Sequence, residues 1–218
     1  DDIQETMNTT TPWVDQNQTY TSHPSHQVFL RQYQMVGLPA RPVADGKVLD
    51  GGFCSARGTG FPGDEICNIG NWGQVKAQAA TKLGIQLVDQ DVFNVPLILT
   101  DPYGHFKPGP LRGMPQIVTA TGLVEGDPAG GGVAIPSNAL RTGHAFLNDI
   151  AHSAAPTAGG PDADGVAGSS LDTPVPAGSY DNELLDLHFI TGDGRGNENI
   201  ALSMVHNLFH AEHNRLVH

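Results

Sequence analysis

Apolar residues recur at helical spacing near the end of this chain. Ile200, Leu202, Met204, Val205, Leu208, Phe209 and Leu216 include pairs three and four apart, the signature of an amphipathic helix. The pattern predicts a helix over 197–217, roughly 31 Å long and able to run through a domain core. Weaker versions of the pattern predict helices over 25–34, 73–83, 144–154 and 182–189. Pro24 stands in the first turn of the earliest, with Ser22 or His23 at its cap. Gly84 follows the second as a C′ residue, and Pro156 stops the one that begins near 144. Asp89 reads as the cap of another short helix that ends before Pro96. Glycine and proline punctuate residues 37–70 so often that only turns and short hairpins suit that stretch. Residues 97–99 and 116–119 read as short strands, 1–22 as an extended loop and 156–179 as a flexible surface excursion. The expected fold class is therefore mainly α, an irregular helical domain with long Gly/Pro-rich connections.

Composition narrows the picture. The chain is 39% apolar, with two Trp and eight Phe, which is a globular composition. Glycine (27) and proline (16) make up about a fifth of the 218 residues, just below the level that suggests disorder. A net charge of −12 argues against nucleic acid, since there is no basic stripe to displace phosphate counterions. It argues equally against adsorption to anionic lipid. No apolar run is long enough to span a membrane. The first residues, Asp-Asp-Ile-Gln-Glu-Thr, show neither the basic nor the apolar region of a signal peptide. Because the chain also does not begin with Met, it reads as a processed protein or as a piece of a longer one. No repeat or internal boundary divides 1–218.

Four constellations carry candidate chemistry. Thr11, Trp13, Asp15 and Asn17 place alternate side chains on one side of an extended loop, with the hydroxyl, carboxylate, amide and carbonyl oxygens that calcium takes. An ordinary polar turn has the same pattern. Arg195 and Glu198 are three apart and share one face of a helix start. They read either as an exposed ion pair worth at most about 0.5 kcal/mol or as a functional pair. Arg195 is badly placed for helix stability, because the positive end of the macrodipole disfavours a cation in the first turn. Such a local conflict is expected where function overrides folding. His206, His210 and His213 lie on one face of the last helix, a spacing that can hold zinc or copper or simply pack. Cys54 and Cys67 are either one disulfide, closing a loop worth roughly 3 kcal/mol, or two unrelated thiols. His26, His105, His144, His152 and His188 read as surface or core residues.

The run Thr191-Gly-Asp-Gly-Arg-Gly-Asn-Glu, followed by an apolar helix ending His-x-x-x-His-x-x-His-Asn-Arg-Leu, resembles the animal-type haem peroxidases of the peroxidase–cyclooxygenase superfamily, in a bacterial version. The stretch Thr11-Pro-Trp-Val-Asp-Gln-Asn-Gln-Thr-Tyr-Thr-Ser22 is similar to that family's calcium loop. The resemblance implies a haem-peroxidase-like helical domain that reduces hydrogen peroxide while oxidising a small donor such as a halide, a phenol or Mn(II). It implies haem and calcium as cofactors, with Thr11, Trp13, Asp15 and Asn17 as calcium ligands. Arg195 would polarise bound peroxide, and Glu198 would lie against a haem methyl and be able to form an ester link. Position 199 is Asn, where some relatives carry a Met bonded to a haem vinyl, so no sulfonium link is expected. The family is typically exported, which implies a secreted protein and a Cys54–Cys67 disulfide. The histidine helix would be structural. The family's distal and proximal histidines and one calcium-ligating Asp match nothing in this sequence. It is therefore expected to be a middle portion of a catalytic domain, partnered by the remaining segments and not competent alone. Two other readings stand beside it: a non-enzymatic calcium-binding or adhesive module, and a zinc hydrolase built on His206, His210 and His213.

Overall fold

The structure, a computed structural model, describes residues 21–56, 65–147, 186, 188–197 and 200–217. It opens with helix α1, Pro24–Leu30. Pro24 occupies the first helical position, and His23 caps the helix by accepting the Ser25 N–H at its Nδ1, 3.1 Å away. The helix stops at Leu30 rather than at 34, because Arg31 turns extended (φ −66°, ψ 144°). Arg31–Val36 instead forms strand β1, antiparallel to β2, Arg41–Val48. Alternation explains the switch: Tyr33 points into the core, while Gln32 donates outward to Asp45 at 3.1 Å. From the next helix, Gln78 completes the other edge of β1. Its Oε1 accepts the Tyr33 N–H at 3.0 Å and its Nε2 donates to the Arg31 carbonyl at 2.8 Å.

A second hairpin pairs β3, Asp50–Ala56, with β4, Glu65–Ile69, and sets Cys54 opposite Cys67. Helix α2, Trp72–Gln78, starts with a reciprocal cap between Asn71 and Gln74, each bond 2.9 Å. It continues as one π-helical turn, Ala79–Leu83, and closes on Gly84 in the left-handed conformation (φ 69°). A Cβ at Gly84 would sit 2.4 Å from the Asp127 nitrogen, so only glycine fits. Strand β5, Ile85–Gln86, later pairs in parallel with β8, Val133–Ala134. Between them come a 3₁₀ turn, Asp89–Val92, and the hairpin of β6, Gln116–Thr119, with β7, Gly122–Glu125. Asp91, not Asp89, caps that 3₁₀ turn, by accepting the Val88 N–H at 2.7 Å. Residues 97–99 contribute an isolated bridge, Ile98 to Ile117, rather than a strand.

The expected mainly α fold is contradicted. Among the described residues, eight short strands in four two-stranded sheets accompany three α-helices. The physical reason is backbone satisfaction. Segments broken too often for a helix still have to pair their buried N–H and C=O groups, and they do so as hairpins and single bridges. The helix expected over 144–154 is absent in its described part: Phe146 is held by its N–H to the Val92 carbonyl at 2.8 Å. Residues 148–154 lie outside the described residues. Near the expected helix at 182–189, Phe189 bridges Asn71 as extended chain, and 182–185 lie outside the description.

Among the described residues one apolar core is built from α1, β1, α2 with its π-helical turn, β5 and β6. Val28, Phe29, Tyr33, Trp72, Leu83, Ile85, Ile117 and Phe146 are almost wholly buried and pack as a single cluster. Each such large apolar side chain contributes roughly 1.5–3 kcal/mol.

The last helix, α3, spans Ile200–Leu216, near the expected bounds, but it is docked by its polar face. His206, His210 and Asn214 are buried, whereas Met204 and Leu208 are each 67% exposed. The apolar stripe expected to enter the core faces outward. The amides of α3 complete the edges of two hairpins. Asn207 Oδ1 accepts the Ile69 N–H at 2.8 Å, and Asn214 both accepts from Val48 N and donates to Val48 O at 2.8 Å. Unpaired strand groups cost more than exposed apolar side chains, so the asparagines decide which face turns inward. No helix among the described residues is long and apolar enough to cross a membrane.

Candidate functional site

The loop that precedes α3 is where the chain's titratable groups converge. It is tied down along its length. Ile190 N–H donates to the Gly70 carbonyl at 2.8 Å, and Gly194 N–H to the Ala145 carbonyl at 2.9 Å. Gly196 is required by contact, since a Cβ there would lie 2.3 Å from Thr191 Oγ1. Residues Gly194–Asn197 form a 3₁₀ turn leading into α3.

Arg195 sits in that turn, half-exposed, and is gripped by Asp193. Its backbone N–H and Nε both donate to Asp193 Oδ1, and its Nη2 donates to Oδ2, all at 2.9 Å. This two-pronged pair resolves the conflict that the sequence poses. A buried carboxylate two residues upstream offsets both the guanidinium and the positive helix end. Burial works against the Asp193 charge, but the Arg195 bonds outweigh it and hold the carboxyl below its usual range. Asp193 in turn keeps the guanidinium firmly protonated.

Against this loop packs a histidine cluster. The ring centroids of His23, His26 and His144 lie 6.1–6.3 Å from one another. His26 is fully buried, 4.5 Å from the Phe146 ring. Its Nδ1–H donates to the Gly192 carbonyl at 3.1 Å, and its Nε2 is buried with no hydrogen-bond partner among the described residues. The same carbonyl accepts the Ser22 N–H at 2.9 Å and the Ser22 hydroxyl at 3.3 Å. Burial, then the neighbouring His23 and His144, push His26 down to about 4, against partial relief from the Gly192 and His144 backbone. His23 is lowered too, by burial and then by His144. On α3, burial lowers His206 while Asp193 opposes the shift.

Of the residues singled out in the sequence, Arg195 is positioned here. Thr11, Trp13, Asp15, Asn17 and Glu198 lie outside the described residues. Cys67 is disulfide-bonded and stands opposite Cys54 in the β3–β4 ladder. His206 and His210 face inward, and His213 donates to the Gly46 carbonyl at 3.1 Å. Among the described residues no three His, Cys, Asp or Glu side chains are arranged to hold a metal ion.

Sequence reasoning missed Asp193 and the His23–His26–His144 cluster. Asp193 was detectable, since an acid two residues before a helix-start cation is a natural clamp. The cluster joins positions more than a hundred residues apart, and no spacing rule reports that. No protein-family model matches this chain, and neither the curated proteins nor the solved structures contain one found to be similar.

Proposed function

We propose that this chain is a portion of a haem peroxidase catalytic domain, in which Arg195 supplies a fixed positive charge to hydrogen peroxide. One observation carries the reading: the guanidinium is locked by Asp193 at a helix start yet remains half-exposed. A cation held in place before substrate arrives needs no reorganisation when charge develops. Breaking the O–O bond heterolytically leaves negative charge on the departing oxygen. A guanidinium meets that charge without losing its proton at any working pH.

The described residues supply this one component. His26 Nε2 is closed off beside Phe146. When bound, the haem would supply the iron that takes the oxidising equivalents of peroxide, in a site completed by other segments. On the same reading, calcium is held by Thr11, Trp13, Asp15 and Asn17, Glu198 faces the haem edge, and the protein is exported.

Stopped-flow mixing of the complete protein with peroxide tests this. Arg195→Ala should slow peroxide activation roughly 100-fold, the scale seen when a charge-stabilising donor is lost. Haem absorbance should persist, because the iron ligand lies elsewhere. Equal rates in the two proteins would remove Arg195 from the mechanism.

A further inference from the structure

We infer that His23, His26 and His144 form an acid-operated latch on the 191–197 loop, holding Arg195 in place at neutral pH and releasing it on acidification. The inference concerns the loop itself and stands independently of the peroxidase reading. Three chain segments meet at the latch: 21–26, 144–147 and 190–195. The clasp is the Gly192 carbonyl, which receives one bond from His26 and two from Ser22. The residue after it is Asp193, the clamp on Arg195.

Every charged or titratable group facing His26 among the described residues has a definite effect. His23 and His144 lie within 6.3 Å, so each opposes a second positive charge in the cluster. Phe146, at 4.5 Å, offers no polar contact to a charged ring. Asp193 attracts a charged His26 and so opposes the shift, but weakly, since both its oxygens are bonded to Arg195. His206, beyond Asp193, is a further group that acid can charge. A neutral His26 suits the closed state, and a proton on its ring disfavours it.

The sign follows from linkage. In the closed state His26 resists protonation down to about 4, whereas a solvated histidine titrates near 6.5. The open state therefore binds more protons between those values. Acidification through that window shifts the equilibrium towards opening, by up to about tenfold for each pH unit. Above the window the latch is fully closed. Below it the bias is complete and grows no further.

Hydrogen–deuterium exchange on the intact chain, corrected for intrinsic exchange, reads the latch directly. Protection of the 192–196 amides should fall at least tenfold between pH 7 and pH 5, while the β6–β7 hairpin at 116–125 stays protected. His26→Asn places an amide donor near the position of Nδ1 without a titratable ring, so it should keep the neutral-pH protection and lose the acid response. His144→Asn, at a partly buried position, should reduce the response by removing one like charge. Protection of 192–196 that does not vary with pH in the unmodified chain would overturn the inference. So would an unchanged acid response in His26→Asn, or equal loss of protection in the hairpin, which would signal ordinary acid unfolding.

Discussion

Asp193 and Arg195 show how two residues reconcile a helix with its own electrostatics. The sequence places a cation where the macrodipole opposes it, and the fold answers with a buried carboxylate that takes three bonds from one arginine. Asp193→Asn keeps the size and one acceptor but removes the charge. It should cost on the order of 1 kcal/mol at neutral pH, a figure discounted because the guanidinium is half-exposed. Urea denaturation of the two forms checks this. The pH dependence has a fixed sign. Because the Asp193 carboxyl is lowered in the folded state, its contribution is full above the ordinary carboxylate range and is lost as pH falls through the lowered value. The two proteins should therefore converge in strong acid. A gap that persists there would mean the carboxylate charge is not what matters.

At the scale of elements, several helix ends are specified by a particular chemical device. Pro24 with the His23 cap and Gly84 were readable in the sequence, whereas the Asn71–Gln74 box that starts α2 emerged from the structure. Gly84→Ala makes the strongest element-level test. The left-handed φ of 69° disfavours any side chain, and the added Cβ would meet the Asp127 backbone at 2.4 Å. A loss of about 2 kcal/mol or more is expected from strain and the forced shift of 127–128. Thermal unfolding with a change under 0.5 kcal/mol would show that this turn adapts freely. Short hairpins were foreseen within 37–70 and a strand at 116–119, but neither their partners nor their registers, because strand pairing depends on distant residues that local propensity does not name. β1 is the clearest case: its sequence continues a helical pattern, and it becomes a strand because Arg41–Val48 and Gln78 stand ready to pair with it.

For the whole molecule, the calcium proposal gives a test that needs no enzyme assay. If Thr11, Trp13, Asp15 and Asn17 hold the ion, binding to the folded state alone must raise its stability by mass action. Asp15→Ala should then lower the melting temperature in calcium and change little in chelator. Equal losses under both conditions would mean that Asp15 is merely structural.

Some helix ends are legible along the chain, in Pro24 with its His23 cap and in Gly84, and so is the cation that precedes α3 at position 195. Those properties are local, set by capping chemistry, φ restrictions and dipoles that act within a few residues. The facing of α3, with His206, His210 and Asn214 inward and Met204 and Leu208 outside, comes from packing between distant segments. The same holds for the gathering of His23, His26 and His144 on the carbonyl of Gly192. Both outcomes are set by backbone groups far along the chain. Val48 and Ile69 need amide partners that asparagines on α3 supply, and the buried Gly192 carbonyl needs the donors of Ser22 and His26. A hydrophobic pattern ranks side chains by their affinity for water, but it carries no record of which distant backbone group still lacks a hydrogen bond.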